Sequence, residues 1–336
     1  MPNDFILNNG EIAELVAQGD YGTASLKLFE QQNQTWTQLI EGYASLSSVQ
    51  TKEFYFDGYK IKVQFNPGRI VSSSAKVDPK SINERKCFLC VLNLPAEQRA
   101  INYKDEYFIL CNPFPIFPRH LTIPHVEHKA QTIKESFDIL LSLSRETSKH
   151  FTVFYNGPKC GASAPDHLHF QAGSKYFMPI DNDFHSIKNE YGSTLFETEN
   201  LIITSIDDGL RRFFSIESNQ ARLISSSFHV LYKILAQYLP EDNEPMMNIL
   251  AFHEDEFGWR VLVFPRKKHR SSHYFAEEEK HYLISAAAVD LGGVIITPLE
   301  KDFERINERV IREIFDEIIL NKAEAEVIKK EFSKNF

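Results

Sequence analysis

Residues 164–171 read Ala164-Pro165-Asp166-His167-Leu168-His169-Phe170-Gln171. If 166–171 form a strand, successive side chains point to opposite faces of a sheet. His167, His169 and Gln171 then share one face, with Leu168 and Phe170 on the other. Apolar anchors behind and polar groups in front are what a sheet-borne site requires. Neutral imidazole is nucleophilic near pH 7, because its reference pKa is about 6.5. It can hold a transferred group covalently. A carboxamide such as Gln171 donates a hydrogen bond to a phosphoryl oxygen without titrating. A bare pair of histidines would fit a structural role equally well, so the flanking sequence decides.

Immediately upstream lies Asn156-Gly157-Pro158-Lys159-Cys160-Gly161-Ala162-Ser163. Small residues let backbone N–H groups approach phosphate oxygens, Ser163 adds a hydroxyl, and Lys159 adds charge. Before it, Phe151–Tyr155 reads as a buried strand and residues 133–149 as a helix, with Phe137, Leu140, Leu141 and Ser144 on one face. Tyr107–Cys111 and His120–Pro124 read as paired strands joined by Asn112–Pro118. Glu53–Phe56 and Lys60–Phe65 flank Asp57-Gly58-Tyr59 as a hairpin. Residues 1–50 read mainly as helices, with a break at Gly19-Asp20.

Downstream, part of this plan recurs. Met247–Phe252 and Trp259–Phe264 suggest paired strands, and Val294–Thr297 a further strand. The pair ends in Phe264-Pro265-Arg266-Lys267-Lys268-His269-Arg270, as the earlier pair ends in Ile123-Pro124-His125-Val126-Glu127-His128-Lys129. Two long amphipathic helices accompany this half. One carries Ile224, Phe228, Leu231, Leu235 and Tyr238, the other Phe303, Ile306, Val310, Ile314 and Ile318. The expected fold is α+β: a helical segment over 1–50, a catalytic half over 51–200, and a second half over 201–336 that lacks the His-x-His-x-Gln motif.

The chain has 336 residues, 43% of them apolar and 25% charged, as in a globular protein with substantial cores. No apolar run approaches the roughly 20 residues that span a bilayer. The N-terminus lacks signal-peptide regions, so a cytoplasmic location and no membrane partner are expected. A net charge of -9 argues against polymeric nucleic acid as partner, since that binding requires many neutralised phosphates. A small phosphorylated ligand needs only a few local cations. The cysteines, Cys87, Cys90, Cys111 and Cys160, are too sparse for a secreted disulfide framework. Cys87-Phe88-Leu89-Cys90 has spacing suited to two thiolates on one tetrahedral zinc. The redox alternative expects a thioredoxin-like unit around it, and none is evident.

Asn156, Gly161-Ala162-Ser163 and His167-x-His169-x-Gln171 together resemble the active-site signature of the galactose-1-phosphate uridylyltransferase branch of the histidine-triad superfamily. The string His167-Leu168-His169-Phe170-Gln171 is most similar to that of GDP-hexose phosphorylases (GDP-L-galactose or GDP-glucose). The resemblance is strongest over about 53–175 and continues more weakly to about 310. It implies two histidine-triad-like halves, a duplicated antiparallel sheet with helices. It implies a ping-pong reaction in which His169 attacks the α-phosphorus of a nucleotide, with His167 and Gln171 positioning and stabilising. Phosphate or a sugar phosphate then accepts the nucleotidyl group. In that superfamily a final Gln accompanies transfer and a third His accompanies hydrolysis.

The expected activity is therefore phosphorolysis of a nucleoside-diphosphate sugar or a dinucleoside polyphosphate. The alternatives are a hexose-1-phosphate uridylyltransferase and, in another class, a catalytically silent nucleotide-binding protein. The resemblance also implies a structural zinc held by Cys87, Cys90, His128 and His167, with His125 an alternative third ligand. Substrate contacts are implied at Asn66, Arg69 and Lys76, at Asn112 near the ribose, and at Asn156, Gly161, Ala162 and Ser163. Phe114 or Phe117 could stack on a base, and Arg119 is a lesser phosphate candidate. The run Arg266–Arg270 reads either as a solvated basic face or as a dock for the second substrate's phosphate. Related transferases are often dimers, so a homodimer is the implied assembly.

Overall fold

The structure, a computed structural model, describes residues 5–8, 10–241 and 243–336. Three helices open it: α1 (Gly10–Ala17), α2 (Tyr21–Thr35) and α3 (Thr37–Ser45). The break expected at Gly19-Asp20 falls between α1 and α2, where the Asp20 carboxylate caps α2 by accepting from Thr23 N–H at 3.0 Å.

The chain then forms thirteen strands among the described residues: β1 (Gln50–Phe56), β2 (Tyr59–Phe65), β3 (Ala100–Tyr103), β4 (Tyr107–Cys111), β5 (His120–Pro124), β6 (Phe151–Asn156), β7 (His169–Ser174), β8 (Gly192–Glu197), β9 (Ile202–Asp207), β10 (Arg212–Ser218), β11 (Met247–Glu254), β12 (Gly258–Pro265) and β13 (Val294–Thr297). Ten of them make one antiparallel sheet in the order β3-β4-β5-β7-β6-β11-β12-β10-β9-β8. The hairpin β1–β2 takes β13 parallel to β2 as a separate small sheet.

Counted inward from its outer edge, each half of the large sheet has the same connectivity: β3-β4-β5-β7-β6 on one side and β8-β9-β10-β12-β11 on the other. Each half inserts one helix before its fourth strand, Phe137–Glu146 and Ala221–Tyr238. The two helices meet through Phe137 and Phe228, whose rings stack at 3.7 Å. The fold is α+β and internally duplicated, as expected, but the repeat is offset. β11 and β12 are the counterparts of β6 and β7, not of β4 and β5. Short buried strands share one apolar signature, so pattern alone cannot say which hairpin repeats which.

The large sheet is covered on both faces. One face packs Tyr155, Phe170, Ile249 and Val261 against the N-terminal helices and the Phe137–Phe228 pair. The other packs Phe154, Leu250, Leu262 and Phe264 against the small sheet and the helical segment 300–318. The long helix expected over 303–318 is two, Glu300–Arg305 and Glu308–Ile318. Asn307 interrupts it, its side chain capping the second helix at Val310 N–H. The apolar stripe survives the break: Phe303, Ile306, Val310, Ile314 and Ile318 are all buried. Tyr238, expected on the apolar face of its helix, is exposed. No helix among the described residues is long and apolar enough to cross a membrane.

Candidate active site

β7 starts at His169, where its ladder with β5 ends at the pair Pro124–His169. His167 lies just before it in a turn, its N–H donating to Ala164 O. The expected single face therefore divides. His169 and Gln171 line one cavity, while the His167 ring turns away into a cluster of cysteines. Leu168 and Phe170 face the opposite core as expected. Burying a Phe side chain contributes about 1.5–3 kcal/mol. Slipping the strand by one residue would exchange the faces, so Phe170 holds the register that aims His169.

The cavity encloses about 680 Å³ between the large sheet and the small one. Arg69, Lys76, Asn112, Asn156, Gly161, Ser163, His169 and Gln171, all singled out from sequence, line it. Phe114 lines it too, whereas Phe117 is core, packed on Phe154 and His120. Ala162 is buried outside the lining. Asn66 is also buried there, and its amide braces the loop by donating to Pro115 O and Gln64 Oε1. Arg119 is exposed, and Lys159 pairs with Glu241. Asn112 has much of its amide taken, donating to Thr122 and accepting from Phe114 N–H.

The His169 ring is held in one tautomer. Its Nδ1 lies 2.8 Å from His167 O, and a carbonyl can only accept, so Nδ1 carries the proton. Nε2 is left with its lone pair and has no hydrogen-bond partner among the described residues. Burial pushes the imidazole down to about 4, so the ring is neutral near pH 7. The backbone around it is clamped by Gln131, which the sequence reading passed over. Gln131 Oε1 accepts His169 N–H at 2.8 Å, and its Nε2 donates to Asn156 O at 2.9 Å and His169 O at 3.0 Å. The β6–β7 ladder ends at Phe154–Gln171, and this one amide satisfies the strand groups beyond it.

Two more residues were missed. His120 lies behind Gln171, its Nε2 3.1 Å from Gln171 Oε1. Arg85 lines the cavity and pairs with Asp166. Neither sits in a motif. Each acts through a partner distant in sequence, Gln171 for His120 and Asp166 for Arg85.

The run 266–270 is not a uniform solvated face, although Lys268 is exposed. Arg266 is fully buried, donating to Asn248 Oδ1, Ala286 O, Lys268 O and His269 O. Arg270 stacks on Tyr274 and donates to Ala75 O and Ser285 Oγ. Lys268 pairs with Glu317.

Next to the cavity, Cys87 Sγ, Cys90 Sγ, His128 Nδ1 and His167 Nδ1 lie within 4.8 Å of one another. The separations are 3.3 Å for Cys87–His167, 3.2 Å for Cys90–His128 and 3.6 Å for Cys90–His167. Sulfur and nitrogen ligands of a tetrahedral zinc stand about 3.5 Å apart, so the donor set fits that ion. His167 Nε2 donates to His125 O at 2.8 Å, which directs its Nδ1 lone pair at the thiols. Burial, the largest single influence, would raise the Cys87 thiol, but His167 together with the backbone N–H groups of Leu89 and Cys90 brings it down to about 6. His125 is not a ring ligand. Its Nδ1 accepts Glu127 N–H, and it serves the cluster through its carbonyl.

Two family models match the chain. Residues 28–174 match a domain of unknown function, DUF4922, and residues 197–336 match a GDPGP1-like, C-terminal domain. No curated protein matches. Among solved structures, the chain is similar to yeast Ap4A phosphorylase Apa2 at 15% identity and a TM-score of 0.47, covering 88% of this chain and 92% of that one. It is similar to a DUF4931 family protein from Bacillus cereus at 19% identity and a TM-score of 0.37, covering 57% and 95%. A uridylyltransferase mutant gives 11% identity and a TM-score of 0.38, covering 74% and 94%.

Proposed function

We propose that this chain is a nucleotidyltransferase of the phosphorylase type, acting through a nucleotidyl-histidine on His169. Its substrate in this reading is a nucleoside-diphosphate sugar or a dinucleoside polyphosphate. The observation that carries the proposal is the Nδ1–H bond from His169 to His167 O, which leaves a neutral Nε2 lone pair in a cavity lined by donors and cations.

In the first half-reaction, Nε2 attacks the α-phosphorus and a P–N bond forms. The bond from that phosphorus to the bridging oxygen breaks, and the sugar 1-phosphate or nucleotide leaves with the electron pair. In the second, an oxygen of inorganic phosphate attacks the same phosphorus, and the P–N pair returns to Nε2. Asn156, Ser163 and Gln171 donate to the phosphoryl oxygens, and Arg69 and Lys76 balance their charge. Fixed donors of this kind are usually the largest contribution at a phosphoryl centre. Gln171 has no proton to shuttle to or from water, which favours transfer over hydrolysis.

A zinc on Cys87, Cys90, His128 and His167 would serve as a structural cross-link. It would fix His167, whose carbonyl sets the His169 tautomer.

The test is a panel of GDP-, UDP- and ADP-sugars and dinucleoside polyphosphates, with and without inorganic phosphate. The proposal expects phosphate-dependent release of a nucleoside diphosphate, abolished in His169→Ala. Turnover independent of phosphate, or undiminished in His169→Ala, contradicts it.

A further inference from the structure

The second half of the sheet has no catalytic motif, yet it reaches the cavity through three consecutive hydrogen-bonding groups. Arg266, at the end of β12, is fully buried, and its Nη1 lies 3.0 Å from Asn248 Oδ1 on β11. Asn248, also fully buried, places Nδ2 at 2.8 Å from Asn156 Oδ1 and 2.7 Å from Cys160 O. Asn156, on β6 opposite Asn248 in the ladder, lines the cavity.

The direction of this relay is forced by chemistry. A guanidinium has only donors. Asn248 must therefore meet Arg266 with its oxygen and turn its nitrogen toward Asn156. Asn156 must accept with its own oxygen. Ala288 N–H, at 2.8 Å from the same Oδ1, independently requires an oxygen there. What remains for the cavity is the Asn156 Nδ2 group, which has no hydrogen-bond partner among the described residues.

Arg266 also ties the neighbouring wall, through Ala286 O. That wall presses on the Gly161 loop. A Cβ on Gly161, whose φ is +89°, would come within 2.6 Å of Ala287 Cβ. One buried cation thus sets both the orientation of Asn156 and the position of the loop beside it.

We propose that Asn248 and Arg266 are positioning residues, through which the second half fixes Asn156 as a hydrogen-bond donor to a phosphoryl oxygen in the cavity of the first. This rests on reading that cavity as a phosphate site, but not on the covalent step.

The discriminating variant is Asn248→Asp. It keeps an acceptor for Arg266, now as an ion pair, but removes the donor to Asn156. The Asn156 oxygen then faces a carboxylate oxygen and keeps only the Ala288 N–H, so Asn156 is pushed off its donor orientation. Binding of inorganic pyrophosphate to the full-length chain, measured by titration calorimetry, should weaken about tenfold or more, the scale of a lost hydrogen bond to a charged group. Asn156→Ala should lose a similar amount. Adding Asn248→Asp to Asn156→Ala should cause no further loss, because the two act through one group. Arg266→Lys puts one ammonium where the guanidinium reaches Asn248 Oδ1, Ala286 O, Lys268 O and His269 O, and should weaken binding clearly more in the wild-type background than in Asn156→Ala. It also provides a second reading if Asn248→Asp folds poorly.

Wild-type affinity in Asn248→Asp, or an equal further loss in the Asn156→Ala background, overturns the proposal. A wild type that binds no pyrophosphate overturns it together with the phosphate reading of the cavity. If binding follows the stated pattern but no label forms on His169, this inference stands and the transferase reading alone fails.

Discussion

His120 holds Gln171 from behind: its Nε2 lies 3.1 Å from Gln171 Oε1, while its Nδ1 accepts Ile116 N–H at 3.4 Å. With Nδ1 an acceptor, the ring proton sits on Nε2 and is donated to the Gln171 oxygen. The Gln171 NH2 group is left for the cavity. Burial, with the Arg69 cation acting the same way, pushes His120 down to about 3. The ring stays neutral, and the Gln171 orientation does not change with pH in the working range.

His120→Ala frees Gln171 to rotate. The rate of nucleotidyl transfer should fall about tenfold, the scale of one hydrogen bond to a charged group. Single-turnover kinetics check this. In a Gln171→Ala background the same change should have little further effect, and an equal loss in both backgrounds would count against the orienting role.

The His169 pKa gives a signed pH dependence. The folded-state value, about 4, lies below the reference of about 6.5. Protonation that would silence a free imidazole below pH 6.5 is thus deferred until the pH approaches 4. In the free enzyme, kcat/KM for label transfer should be flat from about pH 5.5 to 8 and fall only on further acidification. An inflection near 6.5 would mean that His169 is solvated rather than buried.

Metal content tests the cysteine cluster. Purified wild type should carry about one zinc per chain by elemental analysis, the stoichiometry of a closed four-ligand site. Cys87→Ser and His128→Ala should lose most of it. His125→Ala should retain it, because His125 contributes a carbonyl that alanine also has. Equal zinc in wild type and Cys87→Ser would remove the claim.

Gln131→Leu keeps the side chain's bulk but leaves buried backbone groups of Asn156 and His169 without partners. Destabilisation of about 3 kcal/mol is expected, within the range for such orphaned groups. Denaturant melts would show it. Transfer by the fraction still folded should also slow, since His169 loses its clamp. A variant as stable and active as wild type would show the clamp to be dispensable.

Much of this was legible in the linear sequence, and the parts that were not share a cause. The alternation Leu168-His169-Phe170-Gln171 placed His169 and Gln171 toward the cavity and Leu168 and Phe170 behind them, because a strand's period is local. The spacing of Cys87 and Cys90 pointed to a metal, because ligand chemistry restricts the residue types, while His128 and His167 were implied only by the family resemblance. His120, Gln131 and Arg85 escaped notice because each acts through a partner distant in sequence; Gln131, for one, bonds to residues 25 and 38 positions away. Arg266 was misread for the opposite reason. Its neighbours Lys267, Lys268 and Arg270 make the run look like a solvated face, and only the β6–β11 seam shows that a guanidinium is buried there. The offset of the internal repeat and the break at Asn307 were hidden by apolar patterns that fit two geometries equally well.

The central claim is that His169 Nε2 takes a nucleotidyl group. Full-length protein incubated with a nucleoside-diphosphate sugar, without acceptor, can be quenched at alkaline pH and analysed by intact-mass and peptide mass spectrometry. The account predicts a mass increase of one nucleoside monophosphate, localised to His169, absent from His169→Ala and discharged by inorganic phosphate. No adduct across GDP-, UDP- and ADP-sugars and dinucleoside polyphosphates, or an adduct on another residue that persists in His169→Ala, would contradict it.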